Sequence, residues 1–144
     1  DTGFLSVLFL MDTLMENGMQ DLAVKLLYQN RCPSWLYMVE HGATTMWESW
    51  GAVLEDGSVS TYSYNHYAFG CVGDWLYRTL GGLNALDAGY KRFRVSPSYD
   101  FDLTGAALSA LSPYGQIDIS WKKDGGRVDL SVTVPANTTA DITV

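Results

Sequence analysis

The spacing of apolar residues changes near residue 90, and this change limits the chain to a fold in which helices precede strands. Before residue 90, apolar side chains recur every three or four positions, as they do along one face of a helix. After Tyr90 they alternate with polar residues, which is typical of half-buried strands. We therefore predict a mainly α fold with a β C-terminal part, divided into residues 1–90 and 91–144.

The helical half contains short segments with recognisable ends. Predicted helical segments cover residues 4–15, 21–29, 35–41, 45–50 and 66–80. The first is expected to stop at Asn17-Gly18, because these residues tolerate the left-handed conformation that follows many helices. Asn65 is the expected N-cap of the last helix, because its side chain can accept from a free backbone N–H.

The β half carries two clear alternating segments and one turn. Alternation covers residues 115–121 and 128–134, and Lys123-Asp124-Gly125-Gly126 between them is a hairpin signal. Residues 93–95 and a last segment after residue 138 are also predicted strands, whereas 106–112 is either a strand or a connection. Neither half has enough elements to cover its own apolar faces. The chain is therefore expected to be a fragment whose missing partner lies N-terminal.

Charge and cysteine usage exclude several classes of function. The chain of 144 residues has a formal net charge of -7 and no run of basic residues, so a nucleic-acid partner is not expected. The apolar run over residues 4–15 is shorter than the roughly 20 residues that span a bilayer, and no signal peptide is recognisable. Cys32 and Cys71 form no metal-binding motif and are predicted to be free, buried thiols. No metal site is predicted, and the compartment stays open.

The stretch over residues 41–50 is the strongest candidate for chemistry. Glu48 lies between Trp47 and Trp50, after a small, hydroxyl-rich approach. Apolar rings around a carboxylate disfavour its charged form, and cleavage of a glycosidic bond uses two such carboxyl groups. The same pattern also fits a glutamate at a helix start with its tryptophans in the core. Both interpretations remain open on spacing alone.

His66 is the second candidate, since it stands among tyrosines in the stretch over residues 62–70. A histidine near the start of a helix is disfavoured as a cation, and a neutral imidazole can exchange hydrogen bonds with a sugar hydroxyl. A purely structural histidine is the alternative. His41 has no such context and is interpreted as structural.

Several motifs in order resemble those of bacterial alpha-L-rhamnosidases. Gly42 to Trp50 reads GATTMWESW and closely resembles the GATT-x-W-E-x-W motif of that family. Residues 65–70 (NHYAFG), followed by residues 75–77 (WLY), resemble its downstream helix. Residues 33–37 (PSWLY) and 89–93 (GYKRF) match in order and spacing as well. The resemblance covers nearly the whole chain and is strongest from Pro33 to Phe93.

This resemblance implies a fold, a reaction and roles for individual residues. Residues 1–90 are then the last hairpins of an (α/α)6 catalytic barrel, and residues 91–144 begin a C-terminal β-sandwich of jelly-roll type. The family cleaves terminal alpha-L-rhamnose with inversion and without metal or organic cofactor. Glu48 matches its general base and His66 a residue that contacts rhamnose, with Trp47 and Trp50 as expected walls of the sugar site. The partners implied are a rhamnose-containing carbohydrate and the rest of the catalytic domain.

One departure and the missing upstream residues limit what the resemblance carries. Ser49 stands where the family usually has an arginine, which affects how Glu48 is oriented. The general acid lies upstream in the family, so the 144-residue chain alone is predicted to be inactive. An (α/α)6 hydrolase acting on another sugar, and a non-catalytic sugar-binding protein on the same scaffold, are the alternatives.

Overall fold

The computed structural model describes residues 2–144, which divide into two compact units, residues 2–74 and 75–144. Helices dominate the first unit and strands the second, as the sequence predicts. The α-helices are α1 (Phe4–Glu16), α2 (Gln20–Leu27), α3 (Trp35–Glu40) and α4 (Cys71–Thr79). Two single-turn 3-10 helices cover Ala68–Gly70 and Ala88–Tyr90. None of the helices in the described part of the chain is long and apolar enough to cross a membrane.

The end of α1 and the start of α3 follow from local chemistry, and the predicted stop of α1 is confirmed. Asn17 is the C-cap of α1, and Gly18 follows it with a φ of 70°. Such a left-handed conformation is cheap for glycine, which has no Cβ to clash. Ser34 caps α3, because its buried side-chain oxygen accepts a hydrogen bond of 3.0 Å from the backbone N–H of Tyr37.

Two helical predictions are wrong, and both errors have the same cause. Residues 45–50 form no helix, and α4 starts only at Cys71, after a 3-10 turn, so Asn65 is not its N-cap. The backbone N–H of Glu48 donates to the carbonyl of Ser63, and that of His66 donates to the carbonyl of Met46. Amides used in bonds between these two segments are not free to build a helix within either one.

One cluster of buried side chains forms the core of the first unit. Both tryptophans of the 41–50 stretch belong to it, together with residues from α1, α3 and the 3-10 turn at Ala68–Gly70. The buried members of the cluster are Val7, Tyr37, Met38, Trp47, Trp50, Ala52 and Phe69. The stretch that contains Glu48 is thus anchored by aromatic packing on each side of the carboxylate.

The second unit contains two three-stranded sheets. The strands are β1 (Leu83–Ala85), β2 (Arg92–Val95), β3 (Gly105–Ser112), β4 (Gly115–Asp124), β5 (Arg127–Thr133) and β6 (Thr139–Ile142). One sheet has the order β1-β2-β6, with β2 and β6 parallel, and the other is the antiparallel meander β3-β4-β5.

The predicted strands are confirmed, including the short strands β2 and β6, and one three-residue strand was missed. The hairpin turn is confirmed, since Asp124 pairs with Arg127 across Gly125 and Gly126, both of which have positive φ. Residues 106–112, left open as strand or connection, belong to the strand β3, which begins one residue earlier. The strand β1 was not predicted, because three residues are too few to show a period.

The core of the second unit lies on one face of these strands. Ile117, Ile119 and Trp121 of β4 are buried at alternate positions, as the period of two predicts. The indole N–H of Trp121 donates to the carbonyl of Leu80 at 2.7 Å, so this buried polar atom is satisfied. Phe93 of β2 belongs to the same buried set as the isoleucines. The assignment of residues 1–90 and 91–144 to two different domains of the intact protein stays a prediction.

Candidate active site

Glu48 is held by two hydrogen bonds to a single residue. Its backbone N–H donates to the Ser63 carbonyl at 2.9 Å, and its side-chain Oε2 accepts from the Ser63 backbone N–H at 2.9 Å. The residue is half-buried. Within residues 2–144, no protein group donates to the second carboxylate oxygen, Oε1. One oxygen therefore orients the side chain, and the other is left for a ligand or water.

The backbone and the ring of His66 are both anchored. Its N–H donates to the Met46 carbonyl at 2.8 Å, and its ring Nδ1 accepts from the Ala68 N–H at 3.2 Å. The imidazole also stacks on two aromatic rings, with centroid separations of 4.9 Å to Phe4 and 5.0 Å to Tyr67. The His66 and Glu48 segments thus lie side by side, joined by main-chain hydrogen bonds.

The two tryptophans that flank Glu48 differ in how much they reach a surface. Trp47 is 3% exposed and packs edge-on against the ring of Tyr64, with 5.7 Å between centroids. Trp50 is 8% exposed and packs against Phe69, with ring centroids 3.8 Å apart and ring planes tilted by 30°. Its Nε1 donates to the Thr2 carbonyl at 3.0 Å. Trp47 is therefore a core residue in the described chain, whereas Trp50 also borders an open recess.

That recess has a volume of about 300 Å³ and brings Glu48 and Trp50 together. It is lined by Gly3, Phe4, Glu48, Ser49, Trp50, Tyr62 and Phe69. Neither Trp47 nor His66 lies among these lining residues. His66 is connected to the recess through Phe4, because the Phe4 ring lines it and also stacks on the imidazole. A carboxylate beside aromatic rings in a concave surface suits a polar ligand with apolar faces, such as a sugar.

Three residues of this site were not identified from the sequence. The helical spacing of the first segment places Phe4 on an apolar face of α1, and nothing in that spacing indicates that its ring lines the recess. Tyr62 lies in the aromatic run that pointed to His66, and this run was the available signal for it. Ser63 contacts Glu48 through its backbone, and a backbone contact cannot be predicted from the residue type. His41, interpreted as structural, lies against Tyr37, with Nδ1 2.8 Å from that residue's carbonyl oxygen.

Both cysteines are free thiols, as predicted, but Cys32 is exposed rather than buried. Cys71 is half-buried. Partial burial of the thiol raises the pKa of Cys32, and the negative charge of Glu55 raises it further. Burial also raises the pKa of Cys71. Both groups therefore stay protonated to higher pH than an unperturbed cysteine, which disfavours them as nucleophiles.

Comparisons with known proteins cover both units. Residues 1–80 match the family model described as the bacterial alpha-L-rhamnosidase 6 hairpin glycosidase domain, and residues 82–144 match that of the bacterial alpha-L-rhamnosidase C-terminal domain. An alpha-L-rhamnosidase of Formosa agariphila is 39% identical over 99% of this chain, and one of Streptomyces avermitilis is 38% identical over 98%. The chain spans only 16% and 14% of those two proteins.

Solved structures give the same result at the level of fold. The Streptomyces avermitilis alpha-L-rhamnosidase complexed with L-rhamnose superposes with a TM-score of 0.92 at 38% identity, over 98% of this chain and 14% of that one. The alpha-L-rhamnosidase of Aspergillus terreus gives a TM-score of 0.91 at 39% identity, over 98% of this chain and 17% of that one. The helical first unit and the β-sheet second unit match the two family domains in order. On the match of residues 1–80, more than half of its length, the chain belongs to the bacterial alpha-L-rhamnosidase family.

Proposed function

We propose that the protein to which this chain contributes is an inverting glycoside hydrolase that releases terminal alpha-L-rhamnose from glycosides or polysaccharides. In this reaction Glu48 is the general base. Its Oε1 takes a proton from a water molecule while the water oxygen bonds to the anomeric carbon. The bond from that carbon to the leaving oxygen breaks on the opposite face of the sugar, and a second carboxyl group protonates the leaving oxygen.

The arrangement of the Glu48 carboxylate is the single observation that carries this proposal. Oε2 is tied to the Ser63 amide at 2.9 Å, while Oε1 is free of protein donors in the described residues. A general base needs a fixed orientation and an oxygen within hydrogen-bond reach of the proton it removes. The recess beside Glu48 offers room for that water and for part of a sugar ring.

The family supports the choice of sugar. The Streptomyces avermitilis relative, which shares the fold of this chain over 98% of its length, was solved in complex with L-rhamnose. From that likeness we infer a rhamnose-containing carbohydrate as the substrate. The remainder of the catalytic domain is the second partner, and the chain needs no metal or organic cofactor in the chemistry.

The general acid is proposed to lie outside this chain. Inverting enzymes hold their two carboxyl groups roughly 6.5–9.5 Å apart, so that a water molecule fits between base and sugar. Glu48 is the one carboxylate among the described residues that line the recess. The 144-residue chain alone is therefore expected to be inactive. In the intact protein, residues 1–90 are proposed to be the last hairpins of an (α/α)6 barrel, and residues 91–144 the start of a β-sandwich.

The other predicted site residues have different roles in this proposal, some in direct contact with the sugar and some not. His66 contacts the sugar through its imidazole, and Trp50 walls the recess next to Glu48. Direct contact of Trp47 with substrate also stays a prediction. Its burial favours an indirect role, in which the indole supports the backbone of Glu48 from the core.

Replacing Glu48 by Gln in the intact protein tests the proposal. This change keeps the shape of the side chain and removes the base. We expect turnover of an aryl alpha-L-rhamnoside to fall by about 10²- to 10⁴-fold, while binding of L-rhamnose, measured by calorimetry, changes little. Glu55→Gln, an exposed change in a loop, is the matched control and should leave turnover as it is.

Two outcomes would lead to other conclusions. Unchanged turnover in Glu48→Gln would remove Glu48 from the chemistry. Rhamnose binding by a wild-type protein that turns over no glycoside would identify a sugar-binding protein on a hydrolase scaffold. Proton NMR during the reaction identifies which anomer of rhamnose is released first. Inversion releases the β anomer, so this measurement tests the stereochemistry.

A further inference from the structure

Two aromatic rings hold the imidazole of His66 in place. The planes of the Phe4 and His66 rings are 13° apart, and those of Tyr67 and His66 are 14° apart, so both pairs are stacked. Phe4 comes from the first turn of α1, whereas Tyr67 is the neighbour of His66 in sequence. Tyr67 is 87% exposed and Phe4 is 40% exposed, so neither ring is simply filling the core. Stacking between flat rings restricts how the imidazole can turn.

The proton on the His66 ring is fixed by a backbone group. Nδ1 receives the Ala68 N–H at 3.2 Å, and a nitrogen that accepts a hydrogen bond carries no proton. In the neutral ring the proton must then be on Nε2, which becomes a donor. The Ala68 amide cannot rotate to become an acceptor, so it favours this one tautomer.

Phe4 places the imidazole relative to the proposed base. The same Phe4 ring that stacks on His66 also lines the recess that contains Glu48. Main-chain hydrogen bonds from Glu48 to Ser63 and from His66 to Met46 also join the two segments. A change in the orientation of the Phe4 ring would therefore also change the orientation of the imidazole.

We propose that Phe4, Tyr67 and the Ala68 amide together hold His66 as an Nε2–H donor aimed at a substrate hydroxyl. Phe4 and Tyr67 are then positioning residues, which act on the substrate through His66 and make no chemical step themselves. This inference rests on the proposed function, because it requires His66 to contact the sugar. It adds the tautomer and the two residues that enforce the ring's orientation.

A double-mutant cycle in the intact protein tests whether Tyr67 acts through His66. Tyr67→Leu removes the flat ring from an exposed position and should lower kcat/KM by about twofold to tenfold, whereas Tyr67→Phe keeps the ring and should restore it. In a His66→Ala background the same Tyr67→Leu change should have almost no effect, because the group it positions is gone. Tyr28→Leu, at another exposed tyrosine, is the matched control. Equal effects of Tyr67→Leu in both backgrounds would overturn the proposal, as would a failure of Tyr67→Phe to restore activity.

The identity of the donor nitrogen is tested by two replacements of His66. The side-chain amide nitrogen of Gln can take the place of Nε2, while that of Asn reaches only the place of Nδ1. His66→Gln should therefore keep more kcat/KM than His66→Asn. The reverse order would contradict an Nε2–H donor. Phe4→Leu should reproduce the effect of Tyr67→Leu, and the Tyr67 variants decide the matter if Phe4→Leu fails to fold.

A readout without turnover separates this inference from the proposed function. With ¹⁵N-labelled histidine, the His66 ring signals, assigned by their loss in His66→Ala, should show a proton on Nε2 and none on Nδ1. A proton on Nδ1 would refute the tautomer, even in an active rhamnosidase. An Nε2–H ring in a protein that cleaves no rhamnoside would instead refute the proposed function and leave the tautomer standing.

Discussion

Glu48 and Ser63 exchange two hydrogen bonds of 2.9 Å each, one through the backbone of Glu48 and one through its carboxylate. The pair fixes both the position and the direction of the side chain, although the two residues are far apart in sequence. A backbone amide, the N–H of Ser63, therefore helps to set the orientation of the Glu48 carboxylate.

The Ser63 amide gives the first prediction. Ser63→Pro removes the N–H that holds Oε2, while Ser63→Ala keeps it and removes only the hydroxyl. Hydrogen bonds to charged groups contribute about 1.5–3 kcal/mol. If the intact protein is the proposed hydrolase, its kcat should fall by about tenfold to a hundredfold in Ser63→Pro. Ser63→Ala should stay near wild type. Equal losses in both variants, measured with an aryl rhamnoside, would show that the amide is not the relevant group.

Capping of α3 gives the second prediction. Ser34→Ala removes the oxygen that accepts from the Tyr37 N–H, and it should lower the free energy of unfolding by about 1 kcal/mol. Ser34→Gly should cost only a few tenths of a kcal/mol, because glycine lets water or a relaxed backbone satisfy the helix end. Denaturant unfolding of wild type and both variants in parallel measures this difference. A larger loss in the glycine variant would contradict the capping role.

Gly82 gives the third prediction. Its φ is +76°, and a Cβ there would lie 2.3 Å from the backbone nitrogen of Pro97 and 2.5 Å from the carbonyl carbon of Ser96. Gly82→Ala should therefore destabilise the protein by more than about 2 kcal/mol. Gly73 is the matched control, because it lies within α4 and a Cβ there meets nothing within 4 Å.

The control substitution at Gly73 is expected to change the stability in the opposite direction. Gly73→Ala should stabilise the protein by about 0.5–1 kcal/mol, since alanine loses less backbone freedom than glycine in a helix. Thermal unfolding of the two variants beside wild type decides the point. A Gly82→Ala variant as stable as wild type would mean that the backbone at Gly82 can shift out of its close contact with Ser96 and Pro97.

The raised pKa of Cys32 gives the fourth prediction, on reactivity against pH. The thiolate is the reactive form, so a raised pKa means that alkylation of Cys32 increases at higher pH than for an unperturbed cysteine. Glu55→Gln removes a negative charge that opposes thiolate formation, and it should move the profile to lower pH. Peptide mass spectrometry after iodoacetamide treatment, from about pH 7 to about pH 10, measures the profile. Glu16→Gln is the control, and an equal shift in that variant would exclude a specific effect of Glu55.

Local chemistry accounts for the parts of the fold that the sequence predicted correctly. Gly18 past the end of α1 and Gly125-Gly126 in the β hairpin each act within a few residues. Alternation along β4 likewise needs no distant partner to be read, because neighbouring side chains point to opposite faces of a strand. The chemical types of Glu48 and His66, in their motifs, were enough to select them as candidates.

Contacts between distant segments decided the rest. Residues 45–50 and Asn65 look helical by themselves, yet their stretches hydrogen-bond to each other, through Glu48 with Ser63 and His66 with Met46. Spacing along the chain also gave no indication that Phe4 would stack on His66 and line the recess beside Glu48. The spacing of residues shows which face of a helix or strand is apolar. It does not show which distant backbone groups and rings contact that face, because those contacts depend on how the segments pack.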